Sequence, residues 1–421
     1  MDHAKARWGT AWHRELIVVA NSRRPLEHIR VLSAEQYILG PCCTMILADA
    51  GAEVIKVEKP GAGDARRKMG PFIEVEKTRH SWGFAEFNRN KKSVALDLQR
   101  EEGRSIFIDL AARSDVMVEN FRPGVMGRLG LGYPVIKEVN PSLIYCALSG
   151  FGHTQGPYSD RPAFDVVAEA MSGFMHMVGF GDRPPVSALF GLADLVTAYS
   201  AVQGILMALL DRAVTGEGQM VDVSMLDAMV FLNERALTIH SFTGMVPSRG
   251  PESFFGPRGA FKAKDGYIAM NIPSGYMWER LALAMGREDL AEDPRCADGP
   301  SRAAHAESLI TPAIEDWLKD KGIREAAEIL ASHGVPAGPV HTAEDVFNCP
   351  QVEARGMLVP IENGPLRGRR VVKSPSRFSR APAARAGWVP ALGEHTEEVL
   401  RELVGLDQKT LKRLRSEGVI Q

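Results

Sequence analysis

The stretch Ile29–Glu58, IRVLSAEQYILGPCCTMILADAGAEVIKVE, decides the fold class. It opens with a segment that reads as a strand, Ile29–Leu32, and closes with the next strand, Glu53–Glu58 (EVIKVE). Between them Pro41 sits where a helix accepts proline, because N–H groups in the first turn have no intrahelical partner. Gly51 then stops the helix after Met45, Ile46, Leu47 and Ala48. Strand, helix and strand in this order imply a parallel βαβ crossover.

The same alternation continues outward. Ser93–Leu98, Val116–Phe121 and Ser142–Leu148 read as strands, with a helix over about 101–113 and a short one near 135–139. This predicts an open, parallel, Rossmann-like α/β sheet whose ligands lie at the carboxyl ends of the strands. Past Gly150, a loop with Pro157 and Pro162 leads to helices over Asp165–Met177 and Asp194–Ala213, a strand Met220–Met225 and a helix Leu226–His240. The Gly- and Pro-rich segment Thr243–Gly259 marks a domain boundary or functional loop. Beyond it come a hairpin (260–263 and 267–271) and helices over 275–285, 303–319 and 323–332. Further helices are expected over 396–404 and 408–417.

With 421 residues, the chain is about three times the usual ~150-residue domain, so two or three folding units are expected. Its 45% hydrophobic and 24% charged residues exclude disorder, collagen and coiled coil. A net charge of −2 lacks the footprint of a nucleic-acid binder. The longest uncharged apolar stretch, between Asp194 and Asp211, is shorter than the ~18–20 residues of a membrane span, so no membrane segment is expected. Five sparse cysteines, Cys42, Cys43, Cys146, Cys296 and Cys349, show no zinc spacing, so no metal is expected. Such a set suits a reducing cytosol, and residues 1–26 lack the apolar core of a secretory signal, so a cytoplasmic location is expected.

Gly150-Phe151-Gly152-His153-Thr154-Gln155-Gly156 approaches a dinucleotide fingerprint, but its third glycine is one residue late and prolines follow, so it reads as a tight loop. Basic residues gather at predicted strand ends: Lys59, Arg66, Arg67 and Lys68; Arg89, Lys91 and Lys92; Arg122 and Arg128. Such a cluster suits a phosphorylated ligand, although surface charge alone gives the same pattern. Taken singly, Asp165 and Asp194 read as caps of the helices they begin, and Cys42-Cys43 as small buried helix residues. His153 reads as loop polarity or as an acid–base group.

Taken together, several blocks resemble the class III CoA-transferase family, of the formyl-CoA transferase, carnitine CoA-transferase and 2-methylacyl-CoA racemase type. They are the Ile29–Glu58 opening, Asn90-Lys91-Lys92-Ser93, Val118–Gly124 (VENFRPG), Ser149–Gly152, Arg161–Asp165 (RPAFD), Thr215–Gln219 and Leu392–Thr396. The resemblance implies an interlocked homodimer and a discontinuous domain plan. Residues 1–26 form an extension, 27–240 and 336–421 a large CoA-binding α/β domain, and 241–335 a smaller α+β domain. It aligns Asp165 with the family's nucleophile. It places Tyr37, Leu39, Lys59, Leu96, Asn120, Phe121 and Arg128 where relatives hold CoA, a thioester substrate and not a tightly bound cofactor. The partners it implies are an acyl-CoA and a carboxylic acid.

Ile38 stands where some formyl-CoA transferases carry glutamine, which disfavours an oxalate-type substrate. The runner-up, a 2-methylacyl-CoA racemase, needs a histidine before the aspartate. That position is Phe164, although Asp194 matches its second acid; a binding protein without turnover is the remaining alternative. The Gly150–Gly152 turn and a helix start are the expected oxyanion donors, and 243–259 is the candidate lid.

Overall fold

The computed structural model describes residues 23–153, 156–247, 249 and 256–421; the rest of the N-terminal extension, Thr154, Gln155, Phe254 and Phe255 lie outside the described residues. Six strands form one parallel sheet: β1 (Arg30–Ala34), β2 (Glu53–Glu58), β3 (Lys91–Ala95), β4 (Val116–Glu119), β5 (Ile144–Ser149) and β6 (Met220–Ser224). Their order across the sheet is β3-β2-β1-β4-β5-β6, so the strand order reverses between β1 and β4.

Alternate residues of these strands enter two different cores. Val31, Val54, Val116, Val118, Ile144 and Cys146 face one side, under α1 (Leu39–Asp49) and α7 (Leu192–Thr215). Leu32, Ile55, Met117 and Tyr145 face the other, under α3 (Glu101–Ala111) and the C-terminal helix Gln408–Ser416. Both faces are covered, which explains strands that read as continuous apolar runs. Cys42 and Cys43 are buried in α1, and burial pushes the Cys42 thiol up to about 12, so neither is a ready thiolate.

Three boundaries differ from expectation for local reasons. The helix from Asp165, α6 (Asp165–Met171), stops before Gly173, whose φ of 76° ends it. The expected helix 226–240 breaks at Asn233, whose side chain donates to the Ser172 carbonyl at 3.1 Å. The antiparallel ribbon Phe72–Val75 and Thr78–Ser81 carries no turn signal in the sequence, because its turn uses Glu76 (φ 49°) and Lys77 (φ 64°) instead of glycine or asparagine.

The chain divides into two compact units: Met1–Phe174, Ser187–Arg235 and Arg355–Gln421 form the first, Met175–Val186 and Ala236–Ala354 the second. In the first, the C-terminal segment returns to the sheet, where His395 N–H donates to Ser93 and Leu96 bridges to Ile420. The second holds a three-stranded antiparallel sheet, Arg258–Lys262, Tyr267–Asn271 and Ala337–Pro339, over a core around Trp278, Ile314 and Leu330. Arg249, from the Gly/Pro-rich segment, donates there to the carbonyls of Phe180 (3.0 Å) and Arg183 (2.8 Å).

α7 corrects one expectation. At 24 residues it is long and apolar enough, by length and composition, to cross a membrane, because the helix extends past both Asp194 and Asp211. In the structure its small-residue face, Ala193, Ala198, Ala201 and Ala208, is buried against the sheet. The turn between α7 and β6 leaves no room at Gly218, where an added Cβ would lie 2.2 Å from the Leu143 carbonyl oxygen. Gly218→Ala is therefore expected to destabilise the protein by about 1–3 kcal/mol, read as a lower denaturation midpoint with unchanged slope.

Candidate active site

In open α/β sheets, ligands bind where the strand order reverses, outside the carboxyl ends of the strands. Here that point lies between β1 and β4, and a reciprocal clamp spans it. Gln36 N–H donates to Asn120 Oδ1 at 2.8 Å, and Asn120 Nδ2 donates back to the Gln36 carbonyl at 2.8 Å. The clamp holds Tyr37 at φ 65°, a conformation that side chains avoid, and Tyr37 N–H is tied to Asp64 Oδ1 at 3.2 Å.

Beneath this loop lies a fully buried ion cluster. Lys56 meets Asp64 at 2.8 Å and Lys91 meets Glu35 at 2.8 Å, with no side-chain exposure at any of the four. Burial pushes Lys91 down to about 8, with Glu35 opposing. Four charges that cancel locally hold the ends of β1, β2 and β3 in fixed relation; removing one would strand its partner in the core.

Two cavities open here. One, of about 200 Å³, is lined by Lys59, Leu96 and Phe121 with Val125 and Leu129. The other, of about 120 Å³, is lined by Tyr37, Leu39, Asn120 and Phe121, with Arg122, Arg161 and Asp194. Six of the seven anticipated CoA residues thus gather around two cavities that share Phe121. Arg128 ends the short helix α4 (Val125–Arg128), whose Val125 faces the first cavity, but does not itself line either.

The strand-end cations separate into two groups. Arg66 pairs with Glu86, Arg67 with Glu58, Arg89 with Asp49, Lys91 with Glu35, and Lys92 with Glu53 and Glu398, so these brace the fold. Lys59, Arg122 and Arg128 make no ion pair among the described residues and are exposed, so they remain available to an anion.

Asp165 does not cap its own helix. Its side chain crosses to the start of α7, where Oδ2 accepts from Gly191 N–H (3.0 Å) and Oδ1 from Ala193 N–H (2.6 Å). Burial raises its pKa against these two bonds. Gly191 makes this possible: its φ is 84°, and an added Cβ would lie 3.3 Å from Ile38. Phe164 and Tyr37 meet edge-to-face at 5.9 Å beside it, joining the aspartate's segment to the clamped loop. Asp194 is no cap either, because its carboxylate receives the Leu39 N–H; burial, and then the neighbouring Asp165, push it up to about 7.

At the glycine turn two N–H groups are already engaged. Gly152 N–H is bound to Ser149 Oγ at 2.8 Å, and His153 N–H to Asp222 at 2.9 Å, so neither is a spare oxyanion donor. An unanticipated buried group lies behind it. His153 Nε2 is 3.7 Å from Glu119, yet burial pushes Glu119 up to about 8 and His153 down, so the two face each other neutral at pH 7 and make no ion pair. Nothing in the sequence marked Glu119, because a carboxylate at the end of an apolar strand reads as solvent-facing.

The description of CoA-transferase family III matches residues 26–396. The chain belongs to that family. It is 38% identical over 388 residues to the succinyl-CoA:mesaconate CoA-transferase of Haloarcula hispanica, covering 90% of this chain and 96% of that one. Against the succinyl-CoA:glutarate CoA-transferase of Mus musculus it is 34% identical over 413 residues, covering 95% and 91%. A crystal structure of a CAIB/BAIF family protein from Brucella suis superposes with a TM-score of 0.81 at 35% identity, covering 91% of this chain and all of that one. This family III CoA-transferase is thus an enzyme whose relatives act on acyl-CoA and carboxylate substrates.

The Asp194 pKa fixes a pH effect. Its ordinary value is 3.8 and its folded value about 7, so between those limits the native protein keeps a proton that the unfolded chain releases. Stability from this group therefore falls as pH rises from about 4 to 7. Asp194→Asn, which keeps the oxygen facing Leu39 N–H, is expected to flatten that part of a melting-temperature–pH profile; an unchanged slope would remove Asp194 as its source.

Proposed function

We propose that this enzyme moves CoA from an acyl-CoA thioester to an acceptor carboxylic acid, with Asp165 as the nucleophile. The observation that carries this reading is the Asp165 carboxylate, held by Gly191 and Ala193 N–H next to the cavity-lining Asp194 and Phe164. With the Asp194 N–H also directed at it, the carboxylate faces three donors with four lone pairs, which leaves one for attack.

In this scheme a carboxylate oxygen attacks the thioester carbonyl, the C–S bond breaks, and a mixed anhydride and CoA thiolate form. The thiolate attacks the aspartyl carbonyl and releases the donor acid, leaving an aspartyl-CoA thioester. The acceptor carboxylate then displaces CoA to form a second anhydride. The thiolate attacks its acyl carbonyl, giving the new acyl-CoA and the original aspartate. No proton is gained or lost, and one difficult exchange becomes four acyl transfers. The N-terminus of α7 carries a partial positive charge that favours the oxyanions formed on the aspartyl side. CoA enters and leaves as substrate. The apolar Leu96 and Phe121 suit its pantetheine arm, and the exposed Lys59 and Arg128 suit its phosphates.

The acids exchanged carry a second carboxylate in this reading. Relatives are named for mesaconate, D-citramalate, L-malate and glutarate, all dicarboxylates, and Arg122 and Arg161 line the cavity next to Phe164. Proton exchange of the racemase kind lacks support at position 164, where a phenyl ring stands. We place the working unit as a homodimer, supported by the apolar side chains that α7 and α8 (Met225–Leu232) leave exposed: Leu210 at 72%, Val214 at 87% and Phe231 at 79%.

Asp165→Asn is expected to lower kcat by about a thousandfold or more while CoA still binds; turnover near wild type would overturn the nucleophile assignment. Arg161→Met is expected to raise KM for glutarate by about tenfold and leave KM for a monocarboxylic acceptor unchanged. Equal effects on both acids would remove Arg161 from substrate choice.

A further inference from the structure

A third cavity, of about 680 Å³, lies in the sheet-bearing unit and shares no lining residue with the two described above. It is bounded by the ribbon strand Thr78–Ser81, the β3 edge at Lys92, and the C-terminal segment around Trp388 and His395. Its volume falls within the range of small-molecule sites. An ion pair links its wall to that of the candidate CoA cavity: Arg67 on its side forms two bonds of 2.7 Å to Glu58 on the other.

The polar groups facing this cavity are of two kinds. Arg67 and Lys92 are spent, the first on Glu58 and the Pro390 carbonyl, the second on Glu53 and Glu398. Three groups are not. Arg79 lies 4.0 Å over the Phe72 ring and makes no ion pair or hydrogen bond through its guanidinium among the described residues. His80 Nε2 is buried without a hydrogen-bond partner, a state that costs free energy unless something fills it. His395 Nδ1 accepts the Ser93 N–H at 3.3 Å, which assigns the ring proton to Nε2 and makes that atom a donor.

One permanent cation and two imidazoles thus remain unspent among apolar walls formed by Phe84, Leu366, Trp388 and Leu392. The Arg79 guanidinium and the His395 Nε2–H, donors without matching acceptors, call for an anionic head, and the walls call for an apolar body. Glu394 and Glu398 also line the cavity, so a second negative charge on the ligand would be repelled. That argues against CoA or a dicarboxylate as its occupant.

We propose that this cavity is a second ligand site, distinct from the catalytic one, that binds a small organic monocarboxylate with an aromatic or branched apolar body. Its carboxylate lies on Arg79 and His395, and its body packs on Trp388 and Leu366. The proposal does not depend on the role given to Asp165.

The test is calorimetric titration of the full-length protein with phenylacetate, in excess CoA, repeated on Asp165→Asn. Saturable binding is expected in both, weakened about tenfold or more by Arg79→Ala and blocked by the cavity-filling Leu366→Trp. Arg79 is exposed, so its alanine variant reports even if Leu366→Trp does not fold. Three results would overturn the proposal. They are binding unaffected by Arg79→Ala, binding lost in Asp165→Asn, which would place the acid in the catalytic cavity, and no saturable binding at all, as when a second copy of the chain fills the space.

Discussion

Two backbone N–H groups at the start of a 24-residue helix hold one carboxylate, and the candidate site is arranged around that contact. The Asp165 carboxylate is buried, which disfavours its charge, while the helix terminus favours it. The balance leaves a carboxylate that is fixed in direction, with its pKa raised above the ordinary value. Gly191 is the enabling residue, because only a residue without a side chain takes its left-handed backbone so close to Ile38.

The second constraint is the neutral cluster of Glu35, Lys56, Asp64 and Lys91 beneath the strand ends. Its worth to stability is modest or even negative compared with apolar packing, but it fixes where the loop after β1 runs. Through Asp64 and Asn120 that loop is held with Tyr37 strained and facing Phe164. The buried charges and the strained backbone thus join the strand-end loop after β1 to the segment that carries Asp165.

Much of the fold was legible because both faces of the sheet are covered. Strands such as Ile144–Ser149 read as apolar runs, and Pro41 and Gly51 punctuate the first helix. What escaped was set by tertiary contacts. The ribbon 72–81 has no glycine in its turn, Asn233 breaks a helix by reaching Ser172, and α7 runs through two acids that seemed to bound it. At the site, the residue types at 165 and 194 were visible, but their roles were not. Both look like caps in sequence, and only the fold shows Asp165 on another helix and Asp194 bound to Leu39. The basic clusters misled in the opposite way, since most of their members are paired with acids distant in sequence, such as Arg89 with Asp49.

The central claim, a covalent path through Asp165, is tested most directly by incubating the protein with an acyl-CoA, trapping with hydroxylamine or borohydride, and locating the adduct by mass spectrometry. Modification at Asp165 and nowhere else is the expected result. Exchange of the α-proton for deuterium with no adduct at Asp165 would contradict it.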